Sequence, residues 1–117
     1  MNEQLFKQRT KQLALRVIRL VEALTKSRTA EVIGWQLLKS ATSVGANYRA
    51  ACRGRSRADV IAKLGIVEEE TDETLYWMEL LVESGILSQQ KLHDLMNETN
   101  EILAMTVASI KTLKARK

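Results

Sequence analysis

The chain has 117 residues, of which 45% are apolar and 27% charged, and its formal net charge is +4. This is the composition of one soluble globular domain, and with 4% aromatic residues and no proline it argues against an all-β sandwich or barrel. No apolar run approaches the roughly 18 residues of a membrane span. The first residues show no apolar signal core, and one cysteine cannot form an internal disulfide. We expect a single cytoplasmic domain over residues 1–117, with no membrane partner.

Two helices are predicted in the first half of the chain, because apolar side chains recur there at three- and four-residue steps. The first spans residues 3–25 and the second residues 30–53. Ala41, Gly45 and Ala51 are small, so a partner helix can approach the second helix closely. The predicted core positions are Phe6, Thr10, Leu13, Val17, Leu20, Leu24, Ile33, Leu37, Leu38, Ala41, Val44, Gly45, Tyr48, Ala51 and Cys52.

Two further helices are predicted in the second half. Ser56 and Asp59 have nearly the spacing of a capping box, so the third helix begins there and runs to about Ser84. Gly85 stands where a left-handed C-cap residue belongs. The fourth helix runs from residue 89 to about residue 113. The predicted core positions are Val60, Ile61, Leu64, Val67, Thr71, Leu75, Met78, Val82, Leu92, Leu95, Met96, Thr99, Ile102, Leu103, Thr106, Ile110 and Leu113.

The connections between the four helices are only about three to five residues long. Short connections force consecutive helices to be antiparallel neighbours. The sequence therefore predicts an all-α fold, an up-down-up-down antiparallel four-helix bundle.

Several large apolar residues fall outside the predicted core stripes. A contiguous apolar outer surface is typical of a protein contact, and tryptophan is a favoured anchor in such contacts. We therefore predict a homo-oligomer. The alternative is that the long helices splay and partly bury these residues within one chain. The candidate interface residues are Trp35, Ile66, Trp77, Leu80 and Met105.

The sequence offers little catalytic or metal-binding chemistry. His93 is the only histidine, so a di-iron bundle site is excluded, and with Cys52 it supplies too few ligands for zinc. No phosphate-binding glycine loop occurs. The carboxylates at 68–73 spread around their helix, which favours a solvated or salt-bridged face. We predict no metal, no cofactor and no enzymatic activity.

A compact basic patch is formed by Arg49, Arg53, Arg55 and Arg57, with no acidic residue between positions 31 and 59. Arginine forks suit phosphate geometry, so this patch is a candidate nucleic-acid-binding surface. The competing interpretation is that these arginines pair with acidic residues of the third helix, within one chain or between subunits. Aromatic residues are not interleaved with the patch, which argues against base stacking.

Two stretches carry a family resemblance. Residues 36–51, which contain Ser-Val-Gly-Ala-Asn, and residues 56–77, which contain Ile-Val-Glu-Glu-Glu, resemble the bacterial four-helix-bundle proteins named for open reading frames in 23S ribosomal RNA intervening sequences. The resemblance covers roughly residues 5–113. Ala50 departs from it, because the family commonly has a glutamate there.

The resemblance implies a fold similar to that of the accessory variability determinant of diversity-generating retroelements, a basic pentameric bundle that partners a reverse transcriptase and RNA. It implies no enzymatic activity. The expected function is therefore a non-enzymatic homopentamer that binds structured RNA or a nucleic-acid enzyme such as a reverse transcriptase. The alternative is a structural or protein-interaction oligomer with no nucleic-acid role.

Overall fold

The computed structural model describes residues 2–116, and these form four α-helices with no strand. The helices are α1 (Glu3–Glu22), α2 (Arg28–Cys52), α3 (Arg57–Glu83) and α4 (Gln89–Ala115). Consecutive helices pack side by side, and the α1–α4 contact that closes the bundle is the least extensive. The antiparallel four-helix bundle expected from the sequence is confirmed, and it is about 50 Å long and 20 Å wide.

Side-chain caps set the start of every helix. The caps are Asn2, Ser27, Ser56 and Ser88, and each accepts a hydrogen bond from a backbone N–H three residues ahead. Because Ser27 caps α2, this helix begins two residues earlier than predicted, and α1 ends three residues earlier. At the third cap only half of the predicted capping box forms, since the carboxylate of Asp59 accepts from the Arg55 N–H.

The α3–α4 connection follows the expected geometry. Gly85 has φ +80°, a left-handed conformation in which a side chain is strained. Its N–H donates to the carbonyl of Val82, and the N–H of Leu87 reaches the carbonyl of Leu81. These bonds satisfy carbonyls at the end of α3, so α4 can start back along the bundle within a few residues.

The core largely matches the predicted stripes, and Phe6, Leu37, Met78 and Ile102 are among its fully buried side chains. Sequence periodicity missed Ala30, Gly34, Ser40, Thr74 and Leu81, which are buried. It also overestimated the burial of several residues near the helix ends or at the edges of the stripes. Those that are only half-buried are Leu20, Leu24, Leu38, Gly45, Cys52, Val60, Ile61, Val82, Met96, Leu103 and Leu113.

Five threonines lie in the core, and their hydroxyls are satisfied locally. Thr71, Thr99 and Thr106 each donate to the carbonyl four residues earlier, at 2.6–2.8 Å. Thr74 donates to the carbonyl of Glu70 and also contacts the hydroxyl of Ser40 at 3.0 Å, which links α3 to α2. Within the described residues no buried side-chain polar atom lacks a partner. The mainly apolar core therefore holds polar side chains without leaving their polar groups unsatisfied.

The small residue at position 45 lies at the predicted close contact between α1 and α2. A Cβ atom placed on Gly45 would stand 3.3 Å from the Oγ1 atom of Thr10 and 3.5 Å from its carbonyl carbon. These distances leave no room for a long side chain in that direction, so the small size of residue 45 allows α1 to pack closely on α2.

Gly45→Leu should therefore destabilise the bundle by about 1–3 kcal/mol, because the added side chain must push α1 away from α2. Urea denaturation followed by circular dichroism measures this loss. Ala46→Leu is a control, since Ala46 is exposed on the same helix and leucine is a good helix former. Equal midpoints for Gly45→Leu and the wild-type protein would show that the contact is not tight.

None of the described helices combines the length and the apolar character needed to cross a membrane.

Candidate nucleic-acid interface

The four arginines of the predicted basic patch are all exposed, and they lie at one end of the bundle. Arg49 is in the last turn of α2, Arg53 is its C-cap, Arg55 lies in the connection and Arg57 is the first residue of α3. Gly54 keeps this connection tight, because a Cβ atom there would collide with the side chain of Val60. The α2–α3 turn therefore presents the arginines together.

This end of the bundle is strongly cationic. It is formed by the first residues of α1, the last of α2, the first of α3 and the last of α4, that is by residues 2–11, 44–63 and 103–116. These segments contain eleven lysine and arginine residues and only two carboxylate side chains. The cations are Lys7, Arg9, Lys11, Arg49, Arg53, Arg55, Arg57, Lys63, Lys111, Lys114 and Arg116. We call this region the cationic end.

Both carboxylates of the cationic end already have partners. Glu3 pairs with Lys7 at 3.3 Å, and Asp59 pairs with Lys63 at 3.3 Å. The Arg55 N–H and the Lys63 side chain hydrogen-bond the Asp59 carboxylate, and these bonds lower its pKa. No acidic side chain at this end is therefore left to neutralise the patch arginines.

The acidic run of α3 does not neutralise them within the chain either. Among the described residues no ion pair joins a patch arginine to the carboxylates at 68–73. Arg57 donates to the backbone carbonyl of Arg116, a bond that leaves its positive charge uncompensated. Pairing of the patch arginines with the acidic residues of α3 within one chain is thus not observed. Nucleic-acid binding and pairing between subunits remain as interpretations of the patch.

One arginine of α1 does form a strong intramolecular pair. Arg9 binds both carboxylate oxygens of Glu98 on α4, at 2.6 and 2.9 Å, and a third carboxylate, Glu101, at 3.2 Å. The hydrogen bonds that Arg9 donates to Glu98 raise the pKa of Arg9, so this side chain stays charged. The cluster links α1 to α4, which pack against each other less extensively than the other neighbouring helices do. These contacts join side chains that are 89 and 92 positions apart in the sequence. No local sequence pattern could therefore indicate them.

The candidate oligomer-interface residues divide into two groups. Trp35 is 62% exposed and Ile66 is 41% exposed, so both lie on the outer surface as predicted. Trp77, Leu80 and Met105 are half-buried and pack against the hydrophobic core. The indole N–H of Trp77 donates to Glu73, and the sulfur of Met105 accepts from Arg9 at 3.3 Å. These three side chains are therefore partly used within one chain.

A groove of about 470 Å³ runs between α1 and α2 beside the patch. Its lining includes the cations Lys7, Lys11 and Arg49, and it contains no carboxylate. The remaining lining residues are small or uncharged: Gln4, Gln8, Thr10, Ala14, Thr42, Gly45 and Ala46. In the sequence, Lys7 and Lys11 are two of several basic residues that the first helix adds to the positive charge, and the packing of α1 on α2 places them opposite Arg49.

A second concave region, of about 720 Å³, opens at the cationic end between all four helices. Tyr48 and Cys52 line it together with apolar residues of α3 and α4. Burial raises the pKa of the Cys52 thiol and that of the Tyr48 hydroxyl. A protonated thiol is a weak nucleophile. His93 lies in the second turn of α4, at the far end of the bundle, so it cannot activate Cys52 within one chain.

The described residues offer no metal site, since no three histidine, cysteine or acidic side chains among them lie close enough to share an ion.

Comparison with known proteins decides the family. The sequence profile described as 23S rRNA-intervening sequence protein matches residues 2–108. The chain belongs to this family. The resemblance seen in the two sequence stretches is thereby confirmed over nearly the whole chain.

A solved relative shows how this family member compares in structure. It is a Bacteroides thetaiotaomicron VPI-5482 protein, described as having unknown function and as belonging to the S23 ribosomal protein family. The two chains are 34% identical and superpose with a TM-score of 0.88, over 95% of this chain and 99% of the other. No curated protein shows significant similarity to the sequence. The relatives thus establish fold and family and name no activity.

Proposed function

We propose that this family member is a non-enzymatic, oligomeric helical-bundle protein that binds structured RNA through its cationic end. The observation that carries the proposal is the excess of positive charge there, eleven basic residues against two carboxylates. Lys7, Arg9 and Lys63 are paired, and the other eight basic residues form no ion pair among the described residues. Both carboxylates have lysine partners, so the exposed patch arginines are free to meet an external polyanion. Arginine binds phosphate with paired, planar hydrogen bonds, which suits a ribose-phosphate backbone.

The resemblance to retroelement accessory proteins, which partner a reverse transcriptase and RNA, supports the same class of partner. It also adds a reverse transcriptase as a second candidate partner, whereas the family description, 23S rRNA-intervening sequence protein, names no partner. We expect little sequence preference, because phosphate contacts position a protein on nucleic acid without reading bases.

The experiment is recovery of RNA from the native protein, followed by a binding titration. Protein purified at low salt should carry RNA that is released as salt rises. If the four patch arginines each neutralise one phosphate, log K should fall against log salt with a slope of about −3. A wild-type protein that retains no RNA at low salt would refute the proposal.

The oligomer is proposed as a ring of five, on the strength of the family resemblance. A closed ring needs two different contact faces on each subunit. Exposed Trp35 on α2 and exposed Ile66 on α3 provide apolar residues on two faces. Sedimentation at micromolar concentration should show a species near five times the 13.2 kDa chain mass. A species of single-chain mass would contradict the oligomer.

One observation favours a second candidate function, an assembly module with no nucleic-acid role. The carboxylates at 68–73 form no ion pair with the patch arginines inside the chain, so the two sets of opposite charge are available to pair between subunits. In that case the protein would assemble without retaining RNA, and high salt would dissociate the oligomer.

A further inference from the structure

We propose that the groove between α1 and α2 binds the backbone of a single RNA strand, with Lys7, Lys11 and Arg49 as its phosphate-contacting residues. This inference rests on the proposed function and extends it, because it assigns a specific strand-binding surface in addition to the patch on the α2–α3 turn.

The charge of the groove lining distinguishes it from the other concave regions. The hollow beneath Trp35 includes Glu22 and Glu31, and the cleft beside Cys52 includes Glu3. The α1–α2 groove has three cations and no carboxylate. A polyanion would therefore meet no acidic side chain in the groove lining, where Lys11 and Arg49 pair with no described residue and Lys7 shares its charge with Glu3. In the other two regions the carboxylates lie beside single cations, Lys26 and Arg116, so neither lining has an excess of positive charge.

The shape of the groove favours a strand rather than a duplex. Packed helices lie roughly 8–10 Å apart, so the hollow between two of them is too narrow to admit a double helix. An RNA duplex is recognised instead by protein surfaces that lie across its wide minor groove and contact its 2′-hydroxyls and phosphates. The floor is formed by small residues, Gly45, Ala46 and Ala14, and these let a backbone come close to the helices.

The spacing of the cations fits successive phosphates. Lys7 and Lys11 are one helical turn apart, which is about 6 Å along α1. Arg49 faces them from α2 across the floor. The lining contains no aromatic residue on which a base could stack. Binding should therefore be electrostatic, tolerant of sequence and strongly dependent on salt.

The test inserts charge of either sign into the groove floor. Ala46 is exposed within α2, six residues before the last residue of the helix. Glutamate and lysine are both good helix formers, so neither variant should disturb the fold. Fluorescence anisotropy with a dye-labelled dodecauridylate measures binding to a strand that cannot pair with itself. A 12-base-pair RNA duplex is the comparison probe.

Ala46→Glu should weaken dodecauridylate binding at least tenfold, and Ala46→Lys should strengthen it. Lys11→Gln should make the log–log salt slope shallower by about 0.7, the value for one phosphate contact on a single strand. Ala104→Glu is the matched control, because Ala104 is exposed on α4 in the same end of the bundle. This control places the same charge in the cationic end but outside the groove, so it should weaken binding much less than Ala46→Glu does.

The outcomes separate this inference from the proposed function. If Ala46→Glu and Ala104→Glu reduce binding equally, or the duplex binds better than the strand, the groove does not hold a strand, although RNA binding at the turn arginines would stand. If the wild-type protein binds neither probe at low salt, both proposals are wrong.

Discussion

Phe6→Ala should lower the free energy of unfolding by about 3–5 kcal/mol, the usual loss for a buried aromatic residue. Phe6 is 1% exposed in the first turn of α1. Its ring meets the ring of Tyr48 edge to face, with centroids 4.5 Å apart, and such a pair adds to the burial of its area. The substitution leaves a cavity between α1 and α2 that their backbones can close only in part.

A domain of this size has a total stability of about 5–15 kcal/mol, so the Phe6→Ala variant should unfold at much lower urea concentration. The neighbouring Leu5→Ala is the control, because Leu5 is 53% exposed. The free energy of unfolding of this control should change by no more than about 0.5 kcal/mol. If Phe6→Ala and Leu5→Ala unfolded at the same urea concentration, the placement of α1 against α2 would be wrong.

The double variant Arg53→Gln and Arg55→Gln should bind RNA at least tenfold more weakly at moderate salt. Both arginines are exposed on the α2–α3 turn, and neither lines the α1–α2 groove. Losing two phosphate contacts should also make the log–log salt slope shallower by about 1.4 for a single strand. Glutamine keeps the side chain polar, so no repulsive charge is placed at the end of α2.

The matched control is Arg16→Gln with Arg19→Gln, which removes the same charge from the part of α1 outside the cationic end. Sedimentation of both double variants is measured alongside binding. If the Arg53→Gln and Arg55→Gln variant still assembles but no longer binds RNA, the result supports phosphate binding by the turn arginines. Dissociation into single chains would instead show that these arginines pair with Glu69, Glu70 or Glu73 of a neighbouring subunit.

The sequence was sufficient to predict the bundle because each helix carries its own signals. Serine caps, a C-terminal glycine and a three-four apolar spacing are local, and they located α3 to within a residue or two. The start of α2 was predicted two residues late, because Ser27 lies inside a polar stretch that was interpreted as a break. Periodicity did not predict the burial of Thr74 and Leu81, because α3 buries residues beside its predicted core stripe as well as within it.

The candidate site was predictable only in part. The patch arginines are close in sequence, so their clustering at one end followed from the turn. The groove depends on α1 lying antiparallel to α2, with Thr10 against Gly45, and the Arg9–Glu98 pair joins residues 89 positions apart. Contacts between side chains of different helices do not produce a periodic pattern in the sequence. The groove and the Arg9–Glu98 pair could therefore not be predicted from the spacing of residues.

The core threonines have a consequence for how the helices are aligned. Because Thr71, Thr99 and Thr106 bond to carbonyls of their own helices, each helix can dock with these hydroxyls already satisfied. Only the Thr74–Ser40 contact requires two helices to meet in one alignment. In the core, α2 and α3 are therefore the helices whose alignment is fixed by a hydrogen bond between side chains, whereas α1 and α4 are joined by the partly exposed Arg9 cluster.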